Sequence, residues 1–87
     1  MDMAIFVFYD VVEDKLRKQL AEVLADFGLE RFQYSGFRGR LSSTRRRELW
    51  AAITRTLGVN EGRIIMLPIC EDDLKRGEEL VNGPASE

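Results

Sequence analysis

A single aspartate, Asp10, follows the almost purely apolar segment AIFVFY at residues 4–9. An aspartate between a strand and a helix commonly satisfies free backbone N–H groups at a turn or a helix cap. The same carboxylate is the ligand type that Mg²⁺ and Mn²⁺ prefer, and these ions bind one or two protein carboxylates while keeping several waters. One aspartate per chain is few for such a site. A metal site therefore requires a second copy of the chain, with its own Asp10.

Five arginines within ten residues form a second candidate site: Arg38, Arg40, Arg45, Arg46 and Arg47. Such a cluster is often a solvated face, because arginine is a good helix former. Three of them, however, fall in the first turn of a predicted helix, where the helix dipole disfavours cations. Phosphate contacts would offset that cost, and the hydroxyls of Ser42, Ser43 and Thr44 add donors for them. The cluster predicts salt-dependent, sequence-independent binding of a phosphate backbone.

The sequence contains no histidine and a single cysteine, Cys70. Histidine-based acid–base catalysis, histidine metal sites and Ser-His or Cys-His nucleophile pairs are therefore excluded. There is also no Gly-rich phosphate loop and no cysteine pair for zinc. If the protein is an enzyme, its chemistry must use carboxylates and a metal ion, supported by arginine, tyrosine and serine.

Charge is unevenly distributed along the 87 residues, although the net charge is only −2. Residues 1–14 carry −4, residues 15–63 carry +6 and residues 64–87 carry −4. A basic middle between acidic ends predicts a localised anion-binding surface. The longest apolar run is too short to cross a membrane, and the N-terminus lacks the features of a secretory signal. We therefore expect a cytoplasmic protein with no membrane partner.

The spacing of apolar residues predicts four strands and two helices in the order β-α-β-β-α-β. The predicted elements are a strand at 3–9, a helix at 13–27, a hairpin or one bulged strand within 29–41, a helix at 42–57 and a strand at 62–69. This order is typical of an α+β, ferredoxin-like βαββαβ sandwich, which has a four-stranded antiparallel sheet and two helices on one face. We expect one domain over residues 1–87. The other sheet face is apolar and has no helix to cover it, which predicts a partner, most simply a second copy of the chain.

Several segments, in their order and spacing, resemble the CRISPR-associated Cas-two family, the small proteins of the spacer-acquisition stage. The resemblance covers nearly the whole chain. It rests on the first strand ending in Tyr9–Asp10, the helix LRKQLAEVLADFGLER, the segment QYSGF and the last strand RIIMLPI. The chain departs from the family where Gly36 replaces a common valine.

The resemblance implies a ferredoxin-like homodimer in which a short C-terminal strand of each chain pairs with the partner's sheet. Leu80–Val81, within the tail at about residues 71–87, is the candidate strand here. The resemblance also implies a divalent-metal-dependent endonuclease acting on single-stranded RNA or double-stranded DNA, with Asp10 as the catalytic metal ligand for Mg²⁺ or Mn²⁺. In this hypothesis one Asp10 from each protomer holds the ion, and metal-activated water hydrolyses the phosphodiester. Four further residues would position the nucleic acid or stabilise charge: Tyr9, Arg17, Arg31 and Ser35.

Two other functions remain open at this stage. The first, also implied by the resemblance, is a bridge without catalysis, in which the dimer joins Cas-one integrase dimers and holds DNA on its basic surface. Arg38, Arg40 and Arg45–Arg47 would then be the nucleic-acid-binding residues. The second is a toxin-like or ligand-binding regulatory domain with the same fold.

Overall fold

The computed structural model describes residues 2–84, which form four strands and three helices. The elements are β1 (Met3–Asp10), α1 (Asp14–Asp26), β2 (Glu30–Gln33), β3 (Gly36–Leu41), α2 (Ser43–Leu57), β4 (Arg63–Ile69) and α3 (Glu71–Lys75). The predicted order β-α-β-β-α-β is confirmed. The short helix α3 was not predicted.

The four strands form one antiparallel sheet in the order β2-β3-β1-β4, as the ferredoxin-like fold requires. β1 is central: Val7 pairs with Phe37 of β3 on one side and with Met66 of β4 on the other. β4 is an edge strand and contains Pro68. An edge strand suits Pro68, because proline cannot donate a ladder hydrogen bond.

Helices α1 and α2 cover one face of the sheet and build the core with it. Their buried side chains follow the three- and four-residue spacing of one helix face: Leu16, Leu20 and Leu24 of α1, and Leu49 and Ile53 of α2. β1 alternates along its length, so Ile5, Val7 and Tyr9 are buried against these helices. The side chains of Phe6, Phe8 and Asp10 therefore point to the opposite face.

Both long helices are followed by a glycine that ends them. Gly28 has a φ of 89° and Gly58 a φ of 57°, backbone conformations that favour a residue without a Cβ atom. α2 begins at a serine cap, because the Ser42 hydroxyl accepts a hydrogen bond from the backbone N–H of Arg45 at 3.1 Å. The chain thus turns directly from β3 into the arginine-rich first turn of α2.

The segment between the long helices is a hairpin, and its pairing is irregular between Arg31 and Gln33. Of the two predicted alternatives, the hairpin is the one formed, and the irregularity lies within its pairing. Gly36 starts the second strand, where a Cβ atom would come within 3.2 Å of the Phe32 ring. That ring packs edge-on against Phe6 and Phe8, at 5.6 and 5.7 Å between centroids. Glycine at this position therefore makes room for an aromatic cluster, which explains the departure from valine.

The sheet face opposite α1 and α2 is called the open face below. Its apolar side chains are Phe6, Phe8, Phe32, Ile65 and Leu67, of which Ile65 is 36% and Leu67 44% exposed. The expectation that no helix reaches this face is corrected by α3, which contacts β1. Within the groove there, Leu74 and residues 77–82 lie beside Phe6 and Phe32.

The predicted C-terminal strand at Leu80–Val81 has no strand structure in the single chain. Both side chains are exposed, at 85% and 55%. Pairing with a partner's sheet requires the partner, so this strand stays a prediction. Residues 85–87 of the predicted tail lie outside the described residues. Among residues 2–84, no helix has the length and apolar character needed to cross a membrane.

Candidate functional site

Asp10 is the last residue of β1 and lies at the rim of the open face. It is exposed and pairs across the strands with Arg63 of β4. Small pockets on either side of it are lined by Phe8 and Ile65 in one case and by residues 61–62 in the other. The N-cap of α1 is Glu13, so the interpretation of Asp10 as a helix cap is wrong. Its carboxylate is accessible from solvent next to an apolar surface.

Asp10 shares the pocket at this rim with a second carboxylate, Glu61, and with Arg63. Within residues 2–84, no three Asp, Glu, His or Cys side chains lie close enough together to hold a metal ion. The nearest cross-strand side chain, Arg63, is itself a cation. These residues are too few to enclose a Mg²⁺ ion within one chain. A second Asp10 from another copy would add a further carboxylate, with waters completing the shell.

Tyr9, Arg17 and Arg31 come together on the other side of the sheet. They line a pocket of about 340 Å³, called the tyrosine–arginine pocket below, whose walls are Tyr9, Asp14, Arg17, Lys18, Ala21, Arg31 and Tyr34. Asp10 is not among these residues, because successive side chains of β1 point to opposite faces. The structure thus unites three of the predicted supporting residues and separates them from the predicted metal ligand.

Arg17 is fixed by the chain segment that follows Asp10. Its Nη1 donates hydrogen bonds to the backbone oxygens of Val11 at 3.1 Å and Val12 at 2.9 Å. Its Nη2 forms an ion pair with Asp14 in the first turn of α1. The guanidinium therefore holds the turn that leads from Asp10 into α1. Ser35 contributes its backbone oxygen, which accepts a hydrogen bond from the backbone N–H of Tyr9 at 3.1 Å.

The five clustered arginines do not share one surface. Arg38 and Arg40 alternate with the buried Phe37 and Leu41 on β3 and therefore lie on the open face. The Arg38 guanidinium lies 5.1 Å from the centre of the Phe32 ring.

Arg40 forms a bidentate ion pair with Glu71 on the open face. Its two terminal nitrogens donate to the Glu71 carboxylate at 2.6 and 2.9 Å, which ties β3 to α3. This hydrogen bonding, followed by the attraction of the opposite charge, raises the pKa of Arg40. The hydrogen bond from Arg40 lowers the pKa of Glu71. Arg40 is therefore engaged within the chain, which makes it less available to an external phosphate.

Arg45 and Arg46 lie in the first turn of α2, as predicted, whereas Arg47 is the fifth residue of the helix and begins its second turn. Arg45 is engaged, because it lies over the Phe27 ring at 4.3 Å and pairs with Glu48 at 2.7 Å. Arg46 and Arg47 instead line a largely apolar groove of about 490 Å³ with Trp50, Ala51 and Met66. As far as the structure describes the chain, neither forms an ion pair. At the N-terminal end of α2, these two arginines are the ones available for an external anion.

Tyr34 is a candidate functional residue that the sequence analysis missed. It lies at the tip of the hairpin, is 51% exposed and has the guanidinium groups of Arg17 and Arg31 beside its ring. The available signal was an aromatic residue in the turn segment QYSG, three positions after Arg31. The contribution of Arg17 depends on packing between α1 and the hairpin, which local sequence does not specify.

Comparison with known protein families gives one match over most of the chain. The family described as CRISPR associated protein Cas2 matches residues 3–76, from the start of β1 to the end of α3. The chain belongs to the Cas2 family. The resemblance drawn from the sequence is confirmed, and the match covers both Asp10 and the arginine cluster.

Curated Cas2 relatives agree with this result. The chain is 41% identical over 78 residues to the CRISPR-associated endoribonuclease Cas2 of Desulforudis audaxviator, which covers 90% of this chain and 74% of the relative. It is 37% identical over 83 residues to the protein of the same name from Korarchaeum cryptofilum, covering 94% and 88%. A chain of a partial Cas6–RT–Cas1–Cas2 complex has a TM-score of 0.75 at 24% identity and 98% coverage of both chains, which shows a shared fold. The predicted ferredoxin-like fold is confirmed.

Proposed function

We propose that this Cas2-family protein acts in the cytoplasm at the spacer-acquisition stage of CRISPR defence, as a homodimer that binds nucleic acid. We further propose that the dimer is an endonuclease dependent on Mg²⁺ or Mn²⁺, which cleaves phosphodiester bonds of single-stranded RNA or double-stranded DNA. The observation that carries this proposal is the position of Asp10, an exposed carboxylate at the rim of an apolar sheet face. Two curated relatives named endoribonuclease support the activity.

The open face supports the dimer. Ile65 and Leu67 remain substantially exposed there, beside Phe6 and Phe8. A chain of 87 residues buries a modest fraction of its apolar surface, so covering this face with a second copy adds stabilising burial. A two-fold contact uses the same patch on both chains and brings both Asp10 side chains to one interface.

The metal is assigned to the two Asp10 carboxylates of that dimer. When bound there, the ion supplies Lewis acidity toward a phosphoryl oxygen and lowers the pKa of a coordinated water. The chain's own residues set the position of this carboxylate. Arg17 holds the backbone of Val11 and Val12 directly after it, and Arg63 places a positive charge across from it, where a phosphate of the substrate can be contacted.

The test is a cleavage assay with single-stranded RNA and duplex DNA, with Mg²⁺ present or removed by chelation. Asp10→Asn keeps the side-chain volume and removes the charge, so we expect loss of cleavage by about 100-fold or more. Dimer formation and salt-dependent binding should stay unchanged. Asp26→Asn, an exposed aspartate at the end of α1, is the matched control and should cleave normally. Cleavage by Asp10→Asn at the parental rate would contradict the catalytic proposal.

The second candidate is a bridge to the Cas1 integrase that binds DNA without cutting it. The structural neighbour from a Cas6–RT–Cas1–Cas2 complex favours it, because that protein assembles with Cas1. The unpaired Arg38, Arg46 and Arg47 of the described chain support the DNA contact. In this case, charge reversal at Arg46 and Arg47 stops spacer acquisition, whereas Asp10→Asn leaves acquisition intact.

A further inference from the structure

The tyrosine–arginine pocket contains more positive than negative charge. Arg17, Lys18 and Arg31 line it, whereas Asp14 is its only carboxylate and is paired with Arg17. Lys18 and Arg31 form no ion pair with any residue from 2 to 84. The pocket therefore keeps two cations without an internal counter-charge, as a site for an anionic group requires.

Tyr34 adds an exposed aromatic surface to these cations. Half of the residue is in contact with solvent, and it occupies the hairpin turn outside the buried core. The guanidinium carbons of Arg17 and Arg31 lie 5.6 and 6.0 Å from its ring centre. The guanidinium carbon of Arg31 also lies 5.2 Å from the centre of the Phe37 ring, so Arg31 packs against a core aromatic residue. Both guanidinium groups lie over the tyrosine ring, and the exposed half of the residue leaves ring surface for a ligand beside them.

An exposed aromatic ring next to unpaired cations matches the chemistry of one nucleotide. A base stacks on the ring and the adjoining phosphate contacts the cations, as in proteins that bind single strands. The pocket volume of about 340 Å³ is within the range of small-ligand sites. Duplex bases are stacked on one another and cannot make this contact without being unpaired. The arrangement therefore selects an unpaired nucleotide.

We propose that the tyrosine–arginine pocket binds one unpaired nucleotide of a single-stranded nucleic acid, with its base on Tyr34 and its phosphate at Lys18 and Arg31. This inference rests on the proposed nucleic-acid function and adds a second contact point on the helix side of the sheet. The pocket opens on the face of β1 opposite to Asp10. Tyr34 thus contacts the base directly, on the helix side of the sheet.

The test compares three fluorescently labelled probes by anisotropy: a short RNA without self-complementarity, the same ribose-phosphate chain without bases, and a blunt duplex DNA. Tyr34→Ala should weaken binding of the RNA by about tenfold, because one stacked base is lost. It should leave binding of the abasic chain and of the duplex unchanged. Tyr34→Phe, which keeps the ring, should bind the RNA like the parent, whereas Tyr34→Leu should resemble Tyr34→Ala.

The outcomes separate this inference from the proposed function. Equal losses for the RNA and the abasic chain would show a structural role of Tyr34 and overturn the inference. Parental RNA affinity in Tyr34→Ala would also overturn it, as would a parent protein that binds the duplex but not the single strand. A parent protein that binds none of the three probes would contradict the nucleic-acid function itself, and the inference with it.

Discussion

Replacing Arg46 and Arg47 by glutamine tests which positive charges contact a phosphate backbone. These two arginines lie at the N-terminal end of α2 beside the Trp50 groove and form no ion pair inside the described part of the chain. Arg45, at the same end of the helix, is already paired with Glu48 at 2.7 Å. Glutamine is shorter than arginine but keeps a polar, hydrogen-bonding side chain without the charge. The double variant therefore removes two available charges with little effect on folding.

The magnitude follows from counterion release. Each phosphate that a protein neutralises on duplex DNA makes the slope of log affinity against log salt steeper by about 0.9. Loss of two contacts should therefore reduce the steepness by about 1.8. Over a rise from about 50 to about 200 mM salt, the parent should lose about tenfold more affinity than the double variant.

The assay is a series of binding titrations with one duplex DNA at increasing KCl concentrations. Arg55→Gln is the matched control, because Arg55 lies in the last turn of the same helix and is exposed. It should leave the slope at the parental value. A double variant with the parental slope would refute the localisation of DNA binding to the N-terminal end of α2. The same conclusion would follow if Arg55→Gln reduced the slope by as much per charge as the double variant does.

Three further predictions concern stability and assembly. Leu49→Ala removes a fully buried side chain from the core and should lower the free energy of unfolding, measured with urea, by about 2–5 kcal/mol. The control Val59→Ala, at an exposed position, should change this free energy by less than about 0.5 kcal/mol. Leu67→Asp places a charge on the open face and should convert the dimer to a monomer in sedimentation equilibrium. The control Val59→Asp should remain dimeric. A dimeric Leu67→Asp variant would contradict the proposed interface. Because the hydrogen bond from Arg40 lowers the pKa of Glu71 below its ordinary 4.5, their pairing stabilises the fold above that pH and is lost as the pH falls through the lowered pKa. The urea midpoint of Glu71→Gln should therefore lie below the parental midpoint at pH 7, and the difference should shrink as the pH falls through the lowered pKa of Glu71. Equal midpoints at pH 7 would contradict the stabilising role.

The sequence was sufficient to predict the main elements, because local signals determine them. The helical spacing of the α1 leucines specifies a buried face, and Gly28 and Gly58 end the helices at positive φ. Pro68 marked the edge strand. Helix α3 was missed although it carries a recognisable signal, since the acids of residues 71–73 lie in its first turn. Five residues are too few to give a helical period.

The arrangement of the site could be predicted only in part. Strand alternation already requires Tyr9 and Asp10 to point to opposite faces, yet the sequence analysis placed both in one catalytic group. The pairing of Asp10 with Arg63 depends on the register between β1 and β4, which are far apart in the chain. The pairing of Arg40 with Glu71 likewise depends on where α3 packs. Such contacts arise from tertiary packing and cannot be predicted from the local sequence around these residues.

The central claim is that two Asp10 carboxylates, one from each chain, form a single catalytic centre. For the direct measurement, parent and Asp10→Asn proteins are mixed under conditions that allow subunit exchange. Cleavage of single-stranded RNA is then measured at constant total protein concentration. If both carboxylates are required, an equal mixture retains about one quarter of the parental activity, because only parent homodimers are active. Retention of about one half would show that each chain cleaves with its own Asp10, and would contradict the shared centre.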